Sequence, residues 1–433
     1  MPVPSEAIKV ESSALAVLVE RGFVEAASDI GAIDAAMQAG MVTFYNGYDP
    51  TAPSLHVGSL LTIMAARHLQ QHGHRPLMLL GGATAGVGDP SGRSETRKML
   101  DEEQIAANLA ALKRQFSRFL HFDSGAANDA QVIDNNTWLA PLRYIEFLRD
   151  IGRHFTVNRM IAAKTYRERL ESEQPLSFLE FNYQLLQAYD FLHLHREYDC
   201  TLQVGGSDQW GNMISGVELI RRVGADQSHS CDERPDTAHC LTYPLLTTAD
   251  GSKMGKTAKG AVWLDPDRFS PFDYYQYWVN CHDRDVERLL RLFTELPLEQ
   301  VAELASHEGA ALKHAKAALA FEATKLLHGE DEAERARRAT QQAFGSGEDW
   351  SALPCIEIDA PEVKLLDLVV HESIGGFKSK RNARERIKSG AVRIDGEPVT
   401  DASEVLTAEA CGDDGLRLQI GRKKRFRVKL SGA

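Results

Sequence analysis

Between Met41 and Met64 the chain passes from an extended apolar run, Met41, Val42 and Phe44, through the turn Asp49-Pro50-Thr51, into a helical pattern carried by Leu60, Leu61, Ile63 and Met64. A strand that hands over so quickly to a helix returns beside itself through a crossover, so the next apolar run is expected as its parallel neighbour. That run is Leu77-Met78-Leu79-Leu80, closed by Gly81-Gly82. Being apolar at every position, it fits a strand covered on both faces. The two strands and the helix between them make a βαβ unit, and the expected class is α/β with a doubly wound parallel sheet. Ahead of this unit, residues 12 to 40 read as two amphipathic packing helices, with Leu15, Leu18 and Val19 on one face, a break at Gly22, and a second start capped by Ser28 or Asp29.

Ligands of open α/β sheets collect outside the carboxyl ends of the strands, and three loops there carry residues suited to chemistry. The first is Tyr45 to Ser59, YNGYDPTAPSLHVGS. A helix starting near Ser54 offers unpaired N–H groups and the positive end of its dipole to an anion, and Gly58 leaves room for its approach. His56 adds a movable donor and Asp49 a carboxylate, which suits a polyphosphate beside a small ammonium or hydroxyl ligand. The second loop, Gly81 to Arg93, is rich in glycine, but Ser91 stands where the third glycine of a dinucleotide fingerprint belongs, so that motif is excluded. Here Asp89 is expected to face the cavity and Arg93 and Arg97 to meet phosphate. The third follows the strand Thr201 to Val204 and reads Gly205-Gly206-Ser207-Asp208-Gln209-Trp210; Asp208 and Gln209 suit ribose hydroxyls or a carbonyl. Between the last two loops, Tyr183, Gln187 and Asp190 fall at i, i+4 and i+7 of a helical stretch. Their neighbours Leu185, Leu186, Ala188, Phe191 and Leu192 are apolar, so the polar face is expected to line a pocket rather than meet solvent.

A chain of 433 residues should divide into two or three domains. Its six cysteines show no C-x-x-C pairing and no apolar run reaches bilayer length, so a disulfide framework and a membrane span are not expected. No secretory signal opens the sequence, and the cytoplasm is the expected compartment. His229, Cys231, His239 and Cys240 match no common zinc spacing, and residues 227–239 read as a surface insertion. Asp250-Gly251-Ser252-Lys253-Met254-Gly255-Lys256-Thr257 is one residue too short between its glycines for a P-loop. Two lysines three apart, Lys253 and Lys256, stand on this glycine-rich loop instead. The formal net charge of -12 conceals a basic end: Lys378, Lys380, Arg381, Arg384, Arg386 and Lys388 cluster on one short element, and Arg422 to Lys429 carry six more. Such a run closing an acidic chain points to RNA phosphate.

Asp-Pro-Thr-Ala-x-Ser-Leu-His-Val-Gly, starting at Asp49, resembles the nucleotide-binding signature of the class I aminoacyl-tRNA synthetases. With Tyr45 and Gly47 ahead of it, with Gly205 to Asn212, and with Lys-Met-Gly-Lys-Thr from Lys253 as the second signature, the resemblance is to the bacterial tyrosyl branch and spans nearly the whole chain. Two letters depart from the family pattern: Ser59 replaces a histidine expected at the nucleotide ribose, and Asn46 stands where cysteine is frequent.

The resemblance implies a Rossmann-like catalytic domain over residues 1–247, with a dimer-forming insertion at about 120–180. A mobile lysine loop and helical tRNA-contacting domain follow over 248–345, then a linker over 346–361 and a small α+β RNA-binding module over 362–433. It implies that Thr51, His56, Lys253, Lys256 and Thr257 are catalytic, with Tyr45 and Asp190 on a phenol oxygen. Asp89, Tyr183 and Gln187 would then hold the ammonium, and Gln209 the rest of the tyrosine site. Asp49, His56, Gly58, Ser59, Gly206, Asp208, Lys253 and Lys256 would form the ATP site, and Lys380, Arg381, Arg384, Lys388, Lys423 and Lys424 the RNA surface. The implied reaction activates L-tyrosine with ATP, accompanied by Mg2+, and transfers it to the 3′ end of tRNA(Tyr); a homodimer, no tightly bound cofactor and no metal of the protein's own are implied with it. Two rivals share the scaffold: the tryptophanyl branch, and a synthetase retired to RNA binding or splicing. The Tyr45 and Asp190 pair separates the first, and the intact set His56, Asp89, Asp190, Lys253 and Lys256 the second.

Overall fold

The computed structural model describes residues 9–90, 102–173, 175–226, 237–249, 251, 254–257, 260–307, 309–344, 355–371, 373–377, 379–412, 415–421 and 424–431. Six strands form the main sheet: β1 (Ala26–Ala27), β2 (Thr43–Tyr48), β3 (Arg75–Leu80), β4 (Gln131–Asp134), β5 (Cys200–Gly206) and β6 (His239–Tyr243). Their order is β1-β6-β5-β2-β3-β4, parallel throughout except for the antiparallel edge pair of β1 with β6. From β2 the chain builds outward to β3 and β4, then crosses back to add β5 and β6 on the other side. The order therefore reverses between β2 and β5, and a crevice opens where the loops leaving these strands turn opposite ways.

Among the described residues ten helices accompany the sheet: α1 (Ser13–Arg21), α2 (Ile30–Ala39), α3 (Val57–Gln71), α4 (Glu102–Phe116), α5 (Asn136–Leu139), α6 (Tyr144–Asp150), α7 (Val157–Ile161), α8 (Lys164–Glu171), α9 (Phe178–Tyr198) and α10 (Trp210–Asp226). α1 starts where the Ser12 side chain accepts from the Leu15 N–H and stops at Gly22, whose φ of 86° closes the last turn. Asp29 caps α2 in the same way. α9, the longest, opens with a capping box in which Ser177 and Glu180 satisfy each other's backbone N–H groups. Leu77 to Leu80 are buried as their unbroken apolar run predicts, and each such side chain contributes about 1.5–3 kcal/mol on leaving water.

Then come the helices α11 (Pro271–Val279), α12 (Val286–Phe293), α13 (Leu298–Ala305), α14 (Leu312–His328) and α15 (Glu330–Phe344). By packing, residues 1–269 with 281–319 make one unit, and residues 270–280 with 320–433 a second. The first contains the sheet and a short hairpin of β7 (Lys256–Thr257) with β8 (Gly260–Ala261). In the second, Tyr274 of α11 meets His328 edge-on, and Gln276 donates to Thr340 of α15 at 2.6 Å.

The second unit ends in β9 (Cys355–Asp359), β10 (Glu362–Lys364), α16 (Leu365–Val370), α17 (Lys380–Lys388), β11 (Val392–Ile394), β12 (Glu397–Val399), β13 (Val405–Thr407), α18 (Ala408–Cys411), β14 (Leu416–Ile420) and β15 (Lys424–Ser431). Five of the strands form a sheet in the order β12-β11-β14-β15-β9. The turn at Asp395-Gly396 has φ of 47° and 93°, the paired positive values of a tight hairpin. The stretch expected as a linker over 346–361 contains β9, which pairs in parallel with β15 and buries Ile358. Its last four residues, Ile356 to Asp359, alternate apolar and polar, and only the distant chain end supplies the partner that makes a strand of them.

Candidate active site

A cavity of about 380 Å³ lies at the crevice between the carboxyl ends of β2 and β5. α9 presents Tyr183, Gln187 and Asp190 to it along one face, as their spacing requires. Asp190 is buried, and each of its oxygens takes one hydrogen bond: Trp138 Nε1 donates to Oδ1 at 2.8 Å and Asn135 Nδ2 to Oδ2 at 3.0 Å. Burial pushes this carboxyl up to about 7, outweighing the two donors, which favour the charged form; Asp49 and Asp134 add to the rise. Tyr45 is 1% exposed, and its hydroxyl has no hydrogen-bond partner among the described residues. Burial, and then the nearby Asp190, raise its ionisation well above the ordinary phenol range, so it stays protonated. A phenol with a proton to give thus stands beside a carboxylate with lone pairs to spare. A ligand hydroxyl can use both.

Nearer the cavity mouth, polar side chains hold one another. Tyr183 Oη donates to Asp49 Oδ2 at 3.1 Å and Thr84 Oγ1 to Asp49 Oδ1 at 2.9 Å. Gln209 Nε2 donates to Asp89 Oδ2 at 2.7 Å, while Asn212 Nδ2 bridges Gln187 Oε1 and Gln209 Oε1 at 3.1 and 3.2 Å. Gly81 makes the crossing possible, for a Cβ there would fall 2.3 Å from both Asp49 Oδ1 and Thr84 Oγ1. Carboxylates and amide oxygens in this arrangement favour an ammonium group.

The other end is made by α3. The helix begins at Val57, three residues later than expected, because His56 is its N-cap: Nδ1 accepts from the Gly58 N–H at 3.0 Å. His56 is therefore not a freely movable donor at that nitrogen; a neutral ring so held keeps its proton on Nε2. Backbone approaches closely here. Gly255, at φ 92°, lies where a Cβ would come within 3.1 Å of the Gly58 nitrogen, so the loop after β6 rests on the helix N-terminus with no side chain between.

Tyr45, Asp49, Thr51, His56, Gly58, Ser59, Asp89, Tyr183, Gln187, Asp190, Gly206, Asp208 and Gln209 all line this one cavity, joined by Met254 from the glycine-rich loop. Lys253, Arg93, Arg97, Lys423 and most of the 227–239 insertion lie outside the described residues, as do the side chains of Lys256 and Thr257. Sequence reasoning missed Asn135 and Trp138. Both follow β4, whose four residues, Gln131–Asp134, are half polar and give no clear strand period; a strand end recognised there would have pointed to them. Gln203 was also missed: it lines the cavity from β5, and its buried side-chain oxygen has no partner among the described residues.

In the terminal module the expected RNA surface is only partly bare. Lys380 pairs with Asp367 at 2.5 Å and Arg381 with Glu385 at 3.7 Å, and Lys424 donates to the Gly375 carbonyl. Arg384 and Lys388 are exposed on α17.

Residues 37–345 match the family described as tRNA synthetases class I (W and Y), and residues 347–428 the tyrosine–tRNA ligase SYY-like C-terminal domain. The tyrosine–tRNA ligase of Beijerinckia indica subsp. indica is 48% identical over 430 residues, covering 99% of this chain and 99% of its own. That of Zymomonas mobilis subsp. mobilis is 48% identical over 412 residues, covering 95% and 97%. A C-terminally truncated mitochondrial tyrosyl-tRNA synthetase of Coccidioides posadasii superposes with a TM-score of 0.66 at 35% identity, covering 76% of this chain and 92% of its own.

Proposed function

The chain belongs to the class I tRNA synthetases in their tyrosine–tRNA ligase branch, and from that premise we propose that the cavity between β2 and β5 joins L-tyrosine to ATP and then passes it to tRNA(Tyr). The observation that carries the pocket assignment is the pair at its deep end. The unpartnered Tyr45 hydroxyl donates to the phenol oxygen of the substrate, and that phenol donates in turn to Asp190. Phenylalanine would leave both groups buried without their partner, a cost of about 1–3 kcal/mol for each.

Asp89, Tyr183 and Gln187, with Gln209 beside them, receive the substrate ammonium. The tyrosine carboxylate then faces the α-phosphate of ATP, which enters as its magnesium complex with its phosphates on the α3 N-terminus, Gly58, His56 and Thr51. A carboxylate oxygen forms the new bond to phosphorus while the bond from phosphorus to the bridging pyrophosphate oxygen breaks. The nucleophile is already an anion, so no side chain needs to remove a proton, and catalysis comes from positioning and charge stabilisation. Lys253, Lys256 and Thr257 stabilise the departing pyrophosphate; Asp49, Ser59, Gly206 and Asp208 border the nucleoside. In the second step a terminal ribose hydroxyl of tRNA attacks the adenylate carbonyl, and AMP leaves.

Residues 1–247 act as the catalytic domain, 248–345 carry the lysine loop and the helices that meet tRNA, and the module after the linker holds RNA through Arg384, Lys388 and their basic neighbours. A second copy of the chain is supported by the insertion, where Ile145, Val157, Leu170 and Phe178 are 72%, 60%, 51% and 68% exposed. The cytoplasm, where tRNA is charged, is the compartment this reading implies. The test is ATP–pyrophosphate exchange with tyrosine, phenylalanine or tryptophan alone, on the wild type and on Lys256→Ala. Exchange with tyrosine only, weakened by the substitution, is expected. Exchange driven by tryptophan would overturn the pocket, and silence with all three despite tRNA binding would leave an RNA-binding protein.

A further inference from the structure

Side chains alternate along β2, so Asn46 and Tyr48 leave the face opposite to Tyr45, on the side of α3. They form a chain of hydrogen bonds with that helix: Asn46 Nδ2 lies 2.7 Å from Tyr48 Oη, Tyr48 Oη 2.8 Å from Thr62 Oγ1, and Thr62 Oγ1 2.9 Å from the Ser59 carbonyl oxygen. All four residues line the cavity. Phe116 backs the Tyr48 ring, with centroids 5.0 Å apart.

Counting protons gives this chain a direction. A carbonyl only accepts, so the single Thr62 hydroxyl proton goes to Ser59; Thr62 Oγ1 must then accept, and the Tyr48 proton goes to it. Tyr48 Oη is left as an acceptor for Asn46, which answers with its Nδ2 amide. The Asn46 carbonyl oxygen accepts nothing from the described residues, although the side chain is only 3% exposed.

We propose that Tyr48 is a positioning residue that locks the Asn46 amide, so that the wall of the cavity beside α3 offers Asn46 Oδ1 as an acceptor and selects a ligand group that donates, a sugar hydroxyl of the nucleotide. This rests on reading the α3 N-terminus as the nucleotide end. An unlocked asparagine presents oxygen and nitrogen alternately and reads neither donor nor acceptor.

The experiment is pyrophosphate exchange with ATP and with 2′-deoxy- and 3′-deoxy-ATP. In the wild type, kcat/KM is expected to fall about tenfold for at least one of the deoxy nucleotides, the worth of one well-made hydrogen bond. Tyr48→Phe should bring that ratio to within about threefold while the KM for tyrosine moves less than twofold. Adding Asn46→Asp to Tyr48→Phe should restore the ratio, since a carboxylate accepts at both oxygens and needs no partner to orient it. A wild-type ratio retained in folded Tyr48→Phe overturns the proposal, and so does a wild type indifferent to both deoxy nucleotides. If Tyr48→Phe does not fold, Asn46→Ala, which keeps the bond from Tyr48 to Thr62, decides: a retained ratio there also overturns it. Absence of any tyrosine-dependent exchange by the wild type would instead sink the functional reading beneath.

Discussion

The two ends of the cavity are made of different material. At the proposed amino-acid end the working groups are side chains from three separate elements, Tyr45 on β2, Asp190 on α9, and Asn135 and Trp138 just beyond β4, the last two holding Asp190 in place. At the proposed phosphate end much of the described surface is backbone, the first turn of α3 and the glycines 58, 206 and 255, with the His56 side chain as cap and the lysine loop adding its charges in the proposed reaction. A surface of side chains recognises a functional group by its hydrogen-bonding pattern, and losing one member strands the rest. A surface of backbone N–H groups holds charge wherever the chain path is kept, whatever the neighbouring letters. Selectivity should therefore reside at the first end and tolerance to substitution at the second.

The sharpest break of this contrast is Asp190→Ala. It strands the Trp138 and Asn135 donors and removes the acceptor for the phenol, so three groups lose a partner at about 1–3 kcal/mol each, less what water recovers. Tyrosine-dependent exchange is expected to fall by about three orders of magnitude in kcat/KM. A loss below tenfold would place the phenol elsewhere. At the phosphate end a change of comparable weight must act on the backbone. Gly255→Ala puts a Cβ at φ 92° and 3.1 Å from the Gly58 nitrogen; left-handed strain of about 1–2 kcal/mol and a displaced loop should lower kcat roughly thirtyfold. The KM for tyrosine should hold, which separates the two ends in one kinetic table.

The pH response should mark one end only. In the proposed complex tyrosine's phenol donates to the ionised Asp190 carboxylate, a group that burial holds up to about 7 in the cavity. Tyrosine affinity is expected to fall toward about tenfold per unit as pH drops below 7 and to level off above 8, while the KM for ATP stays flat over that window. For stability the sign is reversed. Between the ordinary carboxylate range and pH 7 the folded chain holds a proton that the unfolded chain has released, so this group makes the empty protein less stable as pH rises across that window. Asp190→Asn should remove both slopes; a pH-dependent KM for tyrosine persisting in that variant would assign the titration to another group.

How far the site could be read in advance follows the same division. Glycine-rich strand ends and the i, i+4, i+7 spacing on α9 are local patterns with a single physical meaning, and the residues they mark converge on one cavity. What escaped depends on contacts between distant segments. β4 is half polar and becomes a strand only beside β3, so Asn135 and Trp138 stayed hidden behind it. β1 is two residues long and exists through Thr242 and Leu241 of β6. β9 reads as a connection until β15 arrives from the chain end to pair with it. His56 lines the cavity, and the reading of it as a movable donor did not foresee that one ring nitrogen caps α3, which leaves Nε2 as the nitrogen that can donate. Charges on α17 showed clearly as a run, yet their engagement by Asp367 and Glu385 depends on rotamers no spacing specifies.

Ser59→His carries the smallest expected effect and tests the contrast most finely. The family pattern has histidine at this position, and the serine here lines the cavity one turn before Thr62. The bond that ties Ser59 into the Asn46–Tyr48–Thr62 chain uses its backbone carbonyl, which any residue retains, so the substitution leaves that chain intact. An imidazole would add a donor with longer reach at the nucleotide end and would have to share the wall with Tyr48. Adenylate formation is expected to stay within about tenfold of wild type, the scale of one hydrogen bond gained or hindered. A fall beyond a hundredfold in kcat/KM for ATP, with the KM for tyrosine unchanged, would mean that this wall is already filled by its side chains. The nucleotide end would then be as exacting as the amino-acid end, and backbone construction would not account for its tolerance.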